Sequence, residues 1–349
     1  MNGEIALWLV QDGVTGGAIY ALLALALLLL FAITRIIFVP QGDFVVYAAL
    51  TLGTLQLGRL PGTAWLLVAA GALVAAVEAL AAWRARAYAR LPRIAAVYLA
   101  LPAAVAALAA WLAPRQPPLA LQMALTAALV VPLGPLLYRL AYRPLAQASV
   151  LVLFIVSMAV HYAMTGLALV MFGAEGLRTS PIGATQFALG PVQISAQSLW
   201  VLGASLVCML ALALYFGRSY HGKALRATAI NRVGARLVGI PPEQAGRTAF
   251  ALAAAIGVLS GILISPITTI YYDTGLMIGL KGFVGAILGG MASYPLAALG
   301  ALGVGLLESF SSFWASPLKE VIVFTLILPV LLWRSLATRR HAVEQEEEE

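Results

Sequence analysis

Apolar residues run unbroken for about twenty positions at a time along nearly the whole chain, and the charged residues gather in the short segments between. A helix that spans a bilayer needs about 20 mostly apolar residues. The pattern predicts spans at 14–33, 63–83, 94–112, 119–138, 150–172, 197–217, 248–266 and 319–333. Shorter spans are predicted at 43–57, 279–290 and 295–311. A transmembrane β-barrel would alternate apolar and polar positions over segments of about ten residues, which this chain does not do. The fold class is therefore an all-α polytopic membrane protein of about nine to eleven transmembrane helices, some short or broken.

Composition supports one membrane unit. Of 349 residues, 62% are apolar and 10% charged, against roughly a quarter charged in soluble domains. No polar stretch is long enough for a separate soluble domain, so residues 1–349 are expected to form a single transmembrane domain. Cys208 is the only cysteine, which excludes an intramolecular disulfide and a cysteine-built metal or haem site. The start, Met-Asn-Gly-Glu, lacks the basic segment of a cleavable signal.

The net charge is +7 even with an acidic tail over 335–349. In alternate loops, sixteen Lys and Arg fall on one side and five on the other, Lys281 counted among the five. The richer side is expected to be cytoplasmic, with the N-terminus outside and the C-terminus inside. This count requires a turn at Gly289 to Pro295, where the residues favour one. The basic charges are scattered among short loops, so nucleic acid is not an expected partner. Two loops are long: a neutral one at 173–196 and a basic one at 218–247. The basic loop suits either lipid headgroups or a cytosolic partner.

Charges inside spans are costly and are default functional candidates. Asp43 follows Pro40-Gln41-Gly42, a helix-breaking sequence just after the first span. It reads either as a cap in an interfacial loop or as part of a broken helix lining a pathway. Glu78 is expected to be structural, either snorkelling to the interface or pairing with a neighbouring arginine, and His161 to be a hydrogen-bonded packing residue. Glu308 is expected at the interface. Gly257 with Gly261, Gly285 with Gly289, and Gly300, Gly303 and Gly305 have the spacing of close helix packing. No phosphate loop, His-Glu-x-x-His pair or Gly-x-Ser-x-Gly elbow occurs.

The segment from Gly222 to Ile240 reads GKALRATAINRVGARLVGI. It resembles the cytoplasmic coupling segment of permeases in the branched-chain amino acid class of ABC importers. Further blocks agree in order: Tyr20-Ala21-Leu22 with Val39 to Asp43, Tyr142-Arg143-Pro144-Leu145, Gly279-Leu280-Lys281-Gly282-Phe283, and Leu288-Gly289-Gly290 running on to Glu308. Together they cover about 280 residues. The chain departs from the family pattern where His-Gly-Glu becomes Gln41-Gly42-Asp43 and where Pro-Gly becomes Pro295-Leu296. Residues 84–118 look like an insertion adding about two spans.

The resemblance implies an ABC-importer permease fold in the bacterial inner membrane, and a transport subunit with no ATPase site of its own. It implies that Tyr20, Gln41, Gly42 and Asp43 belong to the translocation pathway. It also implies that Gly222, Arg226, Asn231, Leu237, Gly239 and Ile240 couple the chain to an ATPase. No cofactor is expected in this chain, since ATP would be bound by partner subunits. The implied partners are cytosolic ATPases, a second permease (homologous or identical), a periplasmic substrate-binding protein and membrane lipid. An ion-coupled secondary transporter is the alternative, with Asp43 or His161 as the coupling group. The segment 222–240 is expected to form a short helix and a turn, because Gly234 weakens helix by about 1 kcal/mol.

Overall fold

The computed structural model describes residues 3–183, 185–189, 192–291, 293–326, 328–330 and 332. About four fifths of them are helical. In chain order they are α1 (Gly3–Thr34), α2 (Gln41–Gln56), α3 (Thr63–Arg84), α4 (Tyr88–Arg115), α5 (Leu119–Leu145), α6 (Val150–Phe172) and α7 (Ala196–Arg218). Then follow α8 (Tyr220–Ile230), α9 (Arg232–Leu237), α10 (Pro242–Ile264), α11 (Gly275–Leu288), α12 (Tyr294–Ala315) and α13 (Lys319–Thr325). Among the described residues, eight helical stretches are long and apolar enough to cross a membrane. The chain is thus an all-α polytopic protein, as its pattern predicts.

Several details differ from the pattern: α1 begins eleven residues before its predicted span at 14, and α10 six before 248, each on a more polar first stretch. The span expected to be short at 295–311 is a full helix of 22 residues. Within it Glu308 and Ser309 are bonded to neighbouring elements, and the helix runs four residues past the predicted end, to Ala315. Residues 84–118 contribute one helix, α4, not two. The loop 173–196 carries an antiparallel hairpin, Gln186–Leu189 with Val192–Ser195. The predicted span 319–333 begins as α13, and its end, with the acidic tail 335–349, lies outside the described residues.

The core forms around α1. In its most apolar stretch 83% of residues are buried, against 11% in α4 and in α7. Lipid tails are as apolar as Leu, so hydrophobicity alone does not hold α1 in place; close van der Waals approach does. Along α12, Gly305 meets α1 so closely that a Cβ there would lie 2.4 Å from Gly17 Cα. α10, α11 and α7 pack on the other sides of α1. Further from the axis, α3 and α5 are joined by Glu78, which accepts from Arg139 (2.5 Å) and Arg143 (2.8 Å). Arg143 also reaches Glu243 on α10 at 2.9 Å. Glu78 thus pairs, one of its two expected roles.

Helices α2 and α11, at 16 and 14 residues, are too short to cross a bilayer. After α1 the chain turns at Arg35 (φ 61°), and Ile36 and Phe38 turn inward. The ring of Phe38 packs on Phe250 and Tyr142. This returns the chain to the middle of the bundle before α2 starts. The turn between α11 and α12 closes with Gly290 at φ 76°, where Met291 N–H bonds back to Ala286 and Gly290 N–H to Ile287. Those bonds satisfy the last carbonyls of α11.

The α1–α12 contact gives a direct test. Gly305→Val should overpack it at about 1–3 kcal/mol or more. Gly303, whose Cβ would meet nothing within 4 Å, is the control. In detergent, Gly305→Val is expected to lower the thermal midpoint clearly and Gly303→Val to leave it unchanged.

Candidate functional site

Asp43 is the first of the expected pathway residues to consider. It lies in the first turn of α2 and is 2% exposed. It is not a helix cap: no side chain caps α2. Its two oxygens instead share the Nδ1–H of His161 on α6, at 3.0 and 2.8 Å. The interfacial-cap reading is therefore overturned, because the residue is buried and its carboxylate faces another helix. His161 does hydrogen-bond, as expected, and its partner is an acid 118 positions away.

Two helix starts meet at this point. A Cβ on Gly42 would lie 1.8 Å from the carbonyl oxygen of Gly275, so the backbones of α2 and α11 touch there. One on Gly275 would lie 2.5 Å from Asp43 Oδ1. The carboxylate thus faces the positive ends of both α2 and α11, which favours negative charge. Gln41 is fully buried and donates its amide to Ala253 O of α10 at 3.0 Å. Tyr47 donates to Met164 O of α6 at 2.8 Å. Discontinuous helices meeting within a bundle are a recurrent way to build transport sites.

Tyr20 lies elsewhere. It borders a cavity of about 560 Å3 that Gln41, Gly42 and Asp43 do not line. Its hydroxyl donates to Glu308 Oε2 at 2.7 Å. The other oxygen of Glu308 accepts from Lys281 Nζ at 2.6 Å, and Lys281 also reaches Glu320 at 3.1 Å. Lys281 is 6% exposed inside α11, so it is not a loop residue, and its place in the charge count of the loops is corrected. Glu308 is tied into this cluster and stays partly exposed, with 18% of its side chain accessible. Sequence reasoning missed this cluster, although a lysine between apolar residues of a short span was the available signal.

The residues of 222–240 separate into builders and presenters. Ser219 caps α8 through its hydroxyl, which accepts from Gly222 N–H at 2.9 Å. Gly222 touches the end of α7, where a Cβ would be 2.1 Å from Tyr215 O. Arg226 donates to Phe216 O, also at the end of α7. Asn231, extended at φ −143°, divides α8 from α9 and caps α9 by accepting from Gly234 N–H at 2.8 Å. Gly239, at φ 84°, ends α9: its N–H bonds to Arg236 O and that of Ile240 to Ala235 O. The expected short helix and turn are two short helices and two turns. Leu225 is buried beneath them, whereas Ile230, Val233, Leu237 and Val238 are 71–83% exposed. Leu225, Ala229, Val233 and Leu237 recur every four residues, but Asn231 splits this stripe between two helices, so it does not face one surface.

The model of a family described as branched-chain amino acid transport system / permease component matches residues 100–331. The chain is similar to the Escherichia coli high-affinity branched-chain amino acid transport system permease protein LivH, with 26% identity over 92% of this chain and 91% of that protein. The Salmonella typhimurium LivH is 25% identical over the same shares. The Pseudomonas aeruginosa permease protein BraD is 27% identical over 62% of this chain and 74% of its own. No solved structure matches significantly.

The Asp43–His161 pair makes a separable prediction. His161→Leu leaves a buried carboxylate without its donor and should cost about 3–5 kcal/mol. Adding Asp43→Asn removes the stranded charge and should recover much of that loss. Thermal unfolding of the purified single and double variants measures it; additive losses would refute the pairing.

Proposed function

The chain belongs to the family of branched-chain amino acid transport system permease components, and from that premise we propose how it works. It is a multi-pass permease subunit of an ABC importer. Its solute is a branched-chain amino acid or a related small polar molecule. Nothing in the family match or the relatives favours the ion-coupled alternative.

In our reading, ATP is bound and hydrolysed by separate subunits that dock on α8 and α9. The observation that carries this is the exposed apolar group of Ile230, Val233, Leu237 and Val238. It projects from the end of the bundle with the densest positive charge. Docking surfaces draw their affinity from a few desolvated apolar anchors, while charges at the rim tune encounter. Here Arg232 and Arg236 supply the rim. Gly222, Asn231, Gly239 and the Arg226 bond to α7 hold the anchors in place. The residues expected to couple thus act mainly by shaping the elbow, with Leu237 as the contact itself. Closure of the ATPases would then move this elbow and rock the helices attached to it.

We place the end carrying α8 and α9 in the cytoplasm, with the hairpin loop 173–196 outside, where a substrate-binding protein would deliver solute. The partner permease is a homologue or a second copy. The pathway includes Tyr20, in the cavity wall, and the α2 start at Gln41, Gly42 and Asp43. These last three are packed rather than cavity-lining, so their role is to carry the crossing that moves. The whole chain acts as one permease domain.

Two measurements test this reading. In a Cys208→Ser background, a cysteine at Thr185 should react with an impermeant thiol reagent on intact cells. One at Ile230, 79% exposed, should react only after permeabilisation. The reverse order would overturn the orientation. Leu237→Asp should abolish most stimulation of ATP hydrolysis by a loaded binding protein in reconstituted complex, and uptake with it. Full stimulation and full uptake would remove the coupling role from α9.

A further inference from the structure

The cavity beside Tyr20 lies at the opposite end of the bundle from α8. The helix α1 serves as the ruler: Asp12 to Tyr20 border this cavity, whereas the groove under α8 is bordered by Leu25, Ala32 and Ile33. Its volume of about 560 Å3 is within the range, roughly 300–1,000 Å3, of small-molecule sites. One wall is aliphatic, formed by Ile19, Ile264 and Ile278. The other wall is charged.

We propose that this cavity binds a free α-amino acid with an aliphatic side chain, its ammonium on Glu320 and its carboxylate on Lys281. This inference deepens the reading of the chain as a permease and rests on it. The chemistry follows from the donors and acceptors. Each oxygen of Glu308 already has a donor: Oε1 accepts from Lys281 and Oε2 from Tyr20. Glu320 is not, since its Oε2 is buried with no donor among the described residues. An ammonium has three N–H donors, and Lys281 uses two, on Glu308 and Glu320. An unmatched acceptor and an unused donor therefore stand side by side. A zwitterion supplies the complement to both, in one small molecule.

Other ligand classes fit less well. A metal ion would meet the Lys281 ammonium in the centre of the acid cluster and be repelled. An anion would meet an acid excess, because Asp12, Asp273, Glu308 and Glu320 border the cavity against Lys281 and Lys319. A purely structural ion pair would account for Lys281 and Glu308 but not for an aliphatic wall facing them across open volume. A buried ion pair is in any case no more stabilising, as a rule, than apolar residues of the same size.

The test uses the assembled transporter in lipid nanodiscs, without nucleotide or binding protein, and radiolabelled leucine as the probe. Saturable binding is expected. Glu320→Gln, at a residue whose side chain is 35% exposed and tolerant of change, should weaken it at least tenfold. Ile278→Ala should weaken leucine more than alanine. The 2-oxo acid of leucine, which lacks the ammonium, should not compete. Undiminished binding in Glu320→Gln, equal competition by the 2-oxo acid, or no saturable binding would each overturn the proposal. A binding protein loaded with leucine provides the separate check. If it still stimulates ATP hydrolysis while the cavity binds nothing, the site fails and the permease reading stands. If it does not stimulate at all, the permease reading fails.

Discussion

Within a bilayer a helix gains little from being apolar, because its alternative neighbours are lipid tails of the same character. What holds α1 at the centre is the distance at which other backbones can approach it. Gly17 and Gly305 bring α1 and α12 together to separations that no side chain would permit. The same constraint recurs where α2 meets α11 at Gly42 and Gly275. Comparable approaches set α10 on α2 at Gly261 and α11 on α12 at Gly285. The peripheral helices α4 and α7, with little of their surface buried, depend on the central group and contribute little to fixing it.

The charged residues inside the bundle obey a second constraint, the cost of an unpaired charge away from water. They occur in three groups at different places. Glu78 with Arg139 and Arg143 ties α3 to α5, in a partly exposed position where pairing is structural. Asp43 with His161 is sealed and is supported by two helix starts, so its negative charge is met from three directions. Lys281 with Glu308 and Glu320 borders open volume. Among the described residues of these three groups, only the last leaves a buried carboxylate oxygen, Glu320 Oε2, without a donor, which is why it differs in kind from the other two.

Much of this was legible in the sequence, for identifiable reasons. A long apolar run has few alternatives to a helix, so α3, α6 and α7 could be placed within one residue at each end, whereas α10 starts six residues before its apolar run, on the polar turn from Pro242. The break at Pro40 to Gly42 and the turn at Gly290 announced themselves through residues with restricted or unusual φ. Gly239 was legible as a turn because a motif ended there. Pairing was not legible. The partner of Asp43 lies on α6, that of Tyr20 is 288 positions away, and the apolar neighbours of Lys281 mark it as buried without naming Glu308 or Glu320. Hydropathy carried α12 past Glu308 and Ser309 but stopped four residues short of its end at Ala315, because nothing in the apolar run marks where the last turn closes. The split of the 222–240 stripe depended on Asn231 choosing to cap α9 rather than continue α8, a choice that composition does not reveal.

The short connection between α9 and α10 has a mechanical consequence. Four residues separate Leu237 from Pro242, where α10 starts. Gly239 and Ile240 are fastened back onto α9 by their N–H bonds. Pro241 and Pro242 have rings that fix φ. The connector therefore has almost no slack, and it behaves as a rigid link rather than a tether. A force applied to α9 arrives at α10 undamped, and α10 holds the Gln41 amide at Ala253. Displacement at the surface and displacement at the mid-bundle crossing are thus geared to one another by four residues of chain.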